Sequence, residues 1–221
     1  MNVEGRNFTE DRWKRYRSEE RLERAIKMRA KEQQLCLGAE ILLNLSLKKT
    51  FPSIQLPALY ERNAHGKPYL LSQENLYMNW SHSGSWVVCA LADREVGIDL
   101  QYTGKEPGNS LIRRVLQPEE QPFYEKAAAE RKQRLFYEYW VIKESFLKAL
   151  GTGFYTSLAT FYIRMKEPYP EIVRKEPGGA FTCRLLEFST ADYTAAVCIE
   201  GIHPELERHT SVKFLSGDSE I

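Results

Sequence analysis

The sequence predicts an α+β fold built as two similar halves, and three observations carry that expectation. Each half runs in the order helix, then strands. A stretch at 102–109 with two glycines and a proline divides the chain nearly in the middle. Helical stripes and short apolar runs occur in both halves rather than in separate blocks.

Taken in order, residues 18–48 read as one long helix or two. Ser18 is the N-cap, with Glu19 and Glu20 in the first turn, where the helix dipole favours acids. Leu22, Ile26, Leu35, Leu37, Ile41, Leu42 and Leu45 form the apolar stripe. Arg21, Arg24, Lys27, Arg29 and Lys31 crowd the first half, as a solvated face would. After Pro52 and Pro57 the chain takes on loop and strand character, punctuated by His65-Gly66-Lys67-Pro68-Tyr69. Residues 85–92 read as a buried strand, Asp93-Arg94-Glu95 as a turn and 96–100 as a second strand. Beyond the divide, Pro118-Glu119-Glu120 opens a helix. Residues 131–150 make the clearest helix, with Gly151 as its capping glycine. Residues 160–165, 181–188 and 193–199 read as strands, and the polar tail from Gly201 as a surface segment.

The chain's 221 residues suffice for a sizeable core. Hydrophobic residues at 43%, with 31 Lys+Arg against 30 Asp+Glu, exclude a disordered chain, collagen and a disulfide mini-scaffold. A formal charge of +1 argues against a protein devoted to the nucleic-acid backbone. No run approaches the ~18 apolar residues of a membrane span, and the polar residues 1–17 do not read as a signal peptide. Cys36, Cys89, Cys183 and Cys198 are widely spaced, with no CxxC, so they are expected as buried free thiols of a cytoplasmic protein.

Three clusters could do chemistry. In Asn79-Trp80-Ser81-His82-Ser83-Gly84, Ser81 and His82 are adjacent on an extended segment and point to opposite faces. They therefore do not pair as nucleophile and base, and they suit hydrogen bonding to phosphate or a capped loop. In Gly97-Ile98-Asp99-Leu100-Gln101, alternation puts Asp99 and Gln101 on one face, and an acid on an apolar strand needs a partner or a cation. In 140–151, Glu144 and Lys148 lie one turn apart on a largely apolar helix. Two carboxylates, a lysine and further donors suit Mg²⁺ with a pyrophosphate-bearing substrate. The same residues suit a non-catalytic binding module with buried ion pairs.

The order GKPY (66–69), NWSHSG (79–84), GIDLQ (97–101) and WVIKESFLKALGTG (140–153) resembles the 4′-phosphopantetheinyl transferases. The match is to the longer monomeric type that activates nonribosomal peptide and polyketide synthases. The resemblance implies a pseudo-dimer of two α/β halves: 1–103, on the coenzyme A nucleotide side, and 104–221, with the metal and pyrophosphate helix and the carrier-protein side. It implies Mg²⁺-dependent transfer of phosphopantetheine from coenzyme A to a serine of an apo carrier protein, releasing 3′,5′-ADP. Within it, Asp99 and Glu144 are metal carboxylates, Lys148 meets the pyrophosphate, and Ser81 and His82 contact phosphate. Asn79, Gly66, Lys67 and Pro68 belong to the segments that hold the nucleotide, and Arg29 or Lys31 meets the 3′-phosphate. Where many relatives carry a third acid, this chain has Gln101, an uncharged metal ligand at best. Glu144 is the candidate base for the serine, with a water of the metal shell as the alternative. Lys105, Arg113 and Arg114 are the candidates for steering an acidic carrier, while Leu111, Ile112, Val115 and Leu116 either give it an apolar contact or bury their helix against its own domain. The competing expectation is a catalytically silent coenzyme A or carrier binder.

Overall fold

Ser18 does cap a helix: its hydroxyl accepts from Arg21 N, and α1 runs Glu19–Ala25. A break at 26–29 follows, and α2 spans Ala30–Thr50, so the first helical region is two helices. These elements belong to a computed structural model that describes residues 1–71, 75–188 and 190–201. The tail expected on the surface lies, beyond Gly201, outside the described residues.

Four strand segments follow α2: β1 (Tyr60–Arg62), β2 (Pro68–Leu70), β3 (Tyr77–Ser83) and β4 (Trp86–Ala92). The second half repeats the order. After α3 (Asn109–Val115) and α4 (Gln121–Lys126), the long α5 (Ala129–Leu150) leads to β6 (Phe161–Arg164), β7 (Glu171–Arg174), β8 (Phe181–Leu186) and β9 (Tyr193–Glu200). In each half a long helix precedes a two-stranded antiparallel hairpin, β1–β2 or β6–β7, and then a longer antiparallel pair, β3–β4 or β8–β9. The strand β5 (Val96–Tyr102) pairs antiparallel with β9. Residues 1–3 lie on β4 in the same manner, with an antiparallel bridge between Asn2 and Trp86. The α+β expectation is borne out.

Where the β3–β4 pair meets the sheet of β5, β9 and β8, β3 runs beside β5 without a backbone ladder. Asn79 Oδ1 accepts from Ile98 N at 3.1 Å, Ser81 Oγ from Leu100 N at 3.4 Å, and Ser83 Oγ from Tyr102 N at 2.9 Å. Every second residue of β3 thus lends a side-chain oxygen to every second N–H of β5. These bonds satisfy edge donors that burial would otherwise leave unpaired. The alternation read from NWSHS is what makes this join possible, because Asn79, Ser81 and Ser83 share one face.

Each half keeps its own core. In the first, Leu37, Ile41, Leu43 and Leu47 of α2 are fully buried, with Val87 of β4 and Trp13 of the short helix Asp11–Tyr16 among the same buried clusters. In the second, Phe136, Val141, Ile142 and Phe146 of α5 pack with Phe161, Ile163 and Ala196. One ion pair lies inside that core. Lys143 Nζ meets Glu120 Oε2 at 2.8 Å, and Glu120 also accepts from Gln117 N and Ile163 N, each at 2.6 Å. The pair therefore ties the chain before α4 to both α5 and β6.

Three expectations need correcting. Cys183 and Cys198 sit opposite each other in the β8–β9 register and are joined as a disulfide, leaving Cys36 and Cys89 free. The residues at 118–120 form a turn, and the helix proper begins at Gln121. Val115 and Leu116 are core residues, each 1% exposed, and so are not available for docking. Among the described residues no helix is long and apolar enough to cross a membrane.

Candidate active site

The site forms because α5 lies unusually close to β5. Gly97 is the reason. A Cβ there would stand 2.1 Å from Ser145 O and 2.4 Å from Ala149 N, both backbone atoms of α5. Two residues on, the same strand face presents Asp99, and on α5 the turns flanking Ser145 present Glu144 and Lys148.

Asp99 is 2% exposed and fully engaged. Its Oδ1 accepts from Ser81 Oγ at 2.8 Å and from Lys148 Nζ at 2.6 Å, and its Oδ2 accepts from Gln101 Nε2 at 3.1 Å. Lys148 Nζ also donates to Ser81 Oγ at 3.0 Å and to Ile98 O at 3.2 Å. Glu144 is half-buried on the same helix face. Desolvation first, and the neighbouring Asp99 carboxylate second, push its pKa up to about 7, with Lys148 pulling the other way. A carboxyl poised near neutrality by burial and a second acid is a candidate proton acceptor.

The donor set fits the Mg²⁺ that the family implies. Asp99 and Glu144 are hard oxygen donors close enough for one to raise the other's pKa, which is the mutual repulsion a divalent cation relieves. Among the described residues no group of three His, Cys, Asp or Glu side chains is suited to hold a metal. Two carboxylates would leave the rest of such a cation's shell to water and phosphate oxygens. Gln101 turns its amide nitrogen to Asp99, so it braces that carboxylate.

A cleft of about 210 Å³ opens beside Lys148. Arg62, His65, Gly66, Lys67 and Pro68 line one side, Asn79 and Trp80 the floor, and Leu147, Lys148, Gly151 and Gly153 the other side. Of the residues expected to hold the nucleotide, Gly66, Lys67, Pro68, Asn79 and Lys148 meet here. Lys67 contributes its stem, while its ammonium is bound to Glu95 and Ala149 O. Ser81 lies one residue further along β3. His82 points outward at the surface, as alternation requires. Partial desolvation, then the Lys148 and Arg21 cations, hold its pKa below the ordinary value. Arg29, the N-cap of α2, and Lys31 are exposed, and neither lines the cleft.

Sequence reasoning passed over Arg62, and it gave Trp80 and Arg21 no role of their own. Arg21 lies 5.2 Å and Arg62 5.8 Å from the Trp80 ring centre. Arg21 donates to Tyr60 OH at 3.1 Å and Cys36 O at 3.1 Å. Tyr60 and Arg62, an aromatic and a basic residue two apart on one strand face, were the available signal.

Comparison with known proteins bears out the sequence resemblance. Residues 95–198, from the residue before β5 into β9, match the 4′-phosphopantetheinyl transferase superfamily. The similar curated proteins are more particular. A 4′-phosphopantetheinyl transferase of Bacillus subtilis is 31% identical over 143 residues, covering 64% of this chain and 62% of that one. The 4′-phosphopantetheinyl transferase gsp of Aneurinibacillus migulanus is 31% identical over 132 residues, covering 58% of this chain and 54% of that one. The chain thus spans somewhat over half the length of each. A holo-(acyl-carrier-protein) synthase of Bacillus anthracis, solved in complex with CoA (3′,5′-ADP), is 16% identical with a TM-score of 0.43, covering 48% of this chain and 94% of that one.

Proposed function

We propose that this chain transfers the 4′-phosphopantetheine arm of coenzyme A to a serine of an apo carrier protein, releasing 3′,5′-ADP. The observation that carries the reading is the convergence of Asp99, Glu144 and Lys148 beside a cleft with cationic and aromatic walls. The nucleotide occupies the cleft, and the pyrophosphate lies toward Lys148 and Ser81. The carrier serine oxygen attacks the phosphorus bearing the pantetheine arm, and the bond from that phosphorus to the nucleotide phosphate oxygen breaks. The serine proton passes to Glu144, directly or through one water. Lys148 neutralises charge gathering on the departing nucleotide phosphate. Ser81 and Gln101 hold Asp99 in place. Asp99 and Glu144 would hold Mg²⁺, which would supply charge neutralisation on the pyrophosphate.

The remaining assignments belong to the same reading. The halves divide at 103/104, with the nucleotide held by the first half and the reacting groups of α5 supplied by the second. The enzyme acts as a monomer in the cytoplasm. The carrier, an acidic helical bundle, meets the exposed Arg113 and Arg114 of α3, with Lys105 nearby in sequence and exposed. The test is intact-mass analysis of an apo carrier domain incubated with the protein, coenzyme A and Mg²⁺. A gain of one phosphopantetheine, absent when the carrier serine is replaced by alanine, is expected. An unchanged wild-type carrier, with coenzyme A bound to the protein, would favour the silent binder.

A further inference from the structure

Alternate residues of the turn between β1 and β2 reach across to the carboxyl end of α5. Asn63 Nδ2 donates to Gly151 O at 2.9 Å, while its Oδ1 accepts from His65 N and Lys67 N, each at 2.9 Å. One amide therefore shapes the turn and fastens it to the helix. Lys67, 6% exposed, donates to Ala149 O at 2.8 Å and pairs with Glu95, which also accepts from Tyr69 OH at 3.1 Å. The His65 ring lies against Tyr155, centroids 4.6 Å apart. Gly151 makes the approach possible. It has φ +70°, and a Cβ there would stand 3.0 Å from Lys67 Cδ and 3.3 Å from Asn63 Nδ2.

These contacts join the two walls of the cleft. The turn carries Gly66, Lys67 and Pro68, and the end of α5 carries Leu147, Lys148 and Gly151. An ammonium facing the unpaired carbonyls at a helix carboxyl end is favourably placed. Glu95 completes its neutralisation, so Lys67 has little charge left for a phosphate. We propose that Asn63, His65 and Lys67 form a latch that sets the width of the nucleotide cleft, with Lys67 a positioning residue and not a phosphate ligand. This rests on the transferase reading for the identity of the occupant, but the latch itself does not.

The test compares Lys67→Met and Asn63→Asp with the wild type on two donors, coenzyme A and 3′-dephospho-coenzyme A. The aspartate keeps the oxygen that shapes the turn, loses the donor to Gly151 O and sets a charge against carbonyls. Each variant is expected to raise KM roughly tenfold, Lys67→Met by losing a hydrogen bond from a charged group and Asn63→Asp by losing a donor and facing a carboxylate to carbonyls, with kcat near the wild-type value. The factor should be the same for both donors. Backbone amide exchange at 147–151 should quicken in both variants while global unfolding stays cooperative. A Lys67→Met penalty seen with coenzyme A and absent with the dephospho donor would overturn the proposal in favour of a 3′-phosphate contact. Unchanged KM values, or unchanged exchange at 147–151 in Asn63→Asp, would overturn it as well. If Lys67→Met fails to fold, Asn63→Asp and His65→Ala carry the same comparison. A wild type that transfers from neither donor would defeat the transferase reading, and the exchange measurement would still judge the latch.

Discussion

Gly97→Ala adds one methyl group, and its consequences can be worked from the contacts. The new Cβ would meet Ser145 O at 2.1 Å and Ala149 N at 2.4 Å. A tolerable approach is about 3.0 Å or more, so β5 and α5 must separate by roughly 1 Å at this point. Neither blocking atom belongs to a flexible side chain, so the helix itself has to move. Lys148 sits 2.6 Å from Asp99, and a shift of that size breaks the contact and displaces Glu144 with it. Overpacking of this kind costs about 1–3 kcal/mol of stability, and a misplacement near 1 Å costs on the order of 100-fold in rate. The assay is the initial rate of carrier modification by intact mass, with urea unfolding of the same sample at a temperature where the variant is fully folded. A folded Gly97→Ala protein with near-normal turnover would refute the claim that close helix–strand approach builds the site.

Lys143→Met leaves Glu120 as an uncompensated charge in a pair whose side chains are 1% and 0% exposed. Urea unfolding should show a loss of about 3–5 kcal/mol. Glu144 bears on pH dependence: its folded pKa of about 7 lies above the ordinary 4.5, so the folded state holds the proton more tightly. Its contribution to stability is greatest below about pH 4.5, falls as pH rises to about 7 and is flat beyond. Thermal unfolding of metal-free protein between pH 4.5 and 8 should show this decline, and Glu144→Gln should remove it. At pH 8, Mg²⁺ should raise the wild-type Tm more than that of Glu144→Gln. Gln101→Glu adds a third carboxylate beside Asp99 and should tighten Mg²⁺ binding by calorimetry, while Gln101→Ala should cost far less activity than Asp99→Ala.

The candidate site residues were legible because their signal is local. Asp99 stands out as an acid on an apolar strand, and Glu144 and Lys148 are one turn apart on an otherwise buried helix. The split between a buried Ser81 and an outward His82 followed from strand alternation alone. What stayed hidden depends on partners distant in sequence. Lys67 meets Glu95, 28 residues on, and Ala149, 82 residues on, so nothing local distinguishes its capped ammonium from a ligand. The Cys183–Cys198 pairing is a property of the β8–β9 register, which apolar runs do not specify. Strands β1, β2 and β7 are three or four residues long, too short to show a period. The 26–29 break was equally unmarked, since it contains neither Gly nor Pro.

The central claim is that Asp99, together with Glu144 and Lys148, moves phosphopantetheine at the join of the halves. It is tested most directly by counting both products of one reaction. An apo carrier domain is incubated with coenzyme A and Mg²⁺, and the modified carrier and 3′,5′-ADP are quantified for the wild type and for Asp99→Ala. The account predicts one 3′,5′-ADP released per carrier modified with the wild type, and neither product with a folded Asp99→Ala protein. Modified carrier formed by Asp99→Ala at near-normal rate, or nucleotide released by the wild type without modification of the carrier, would contradict it.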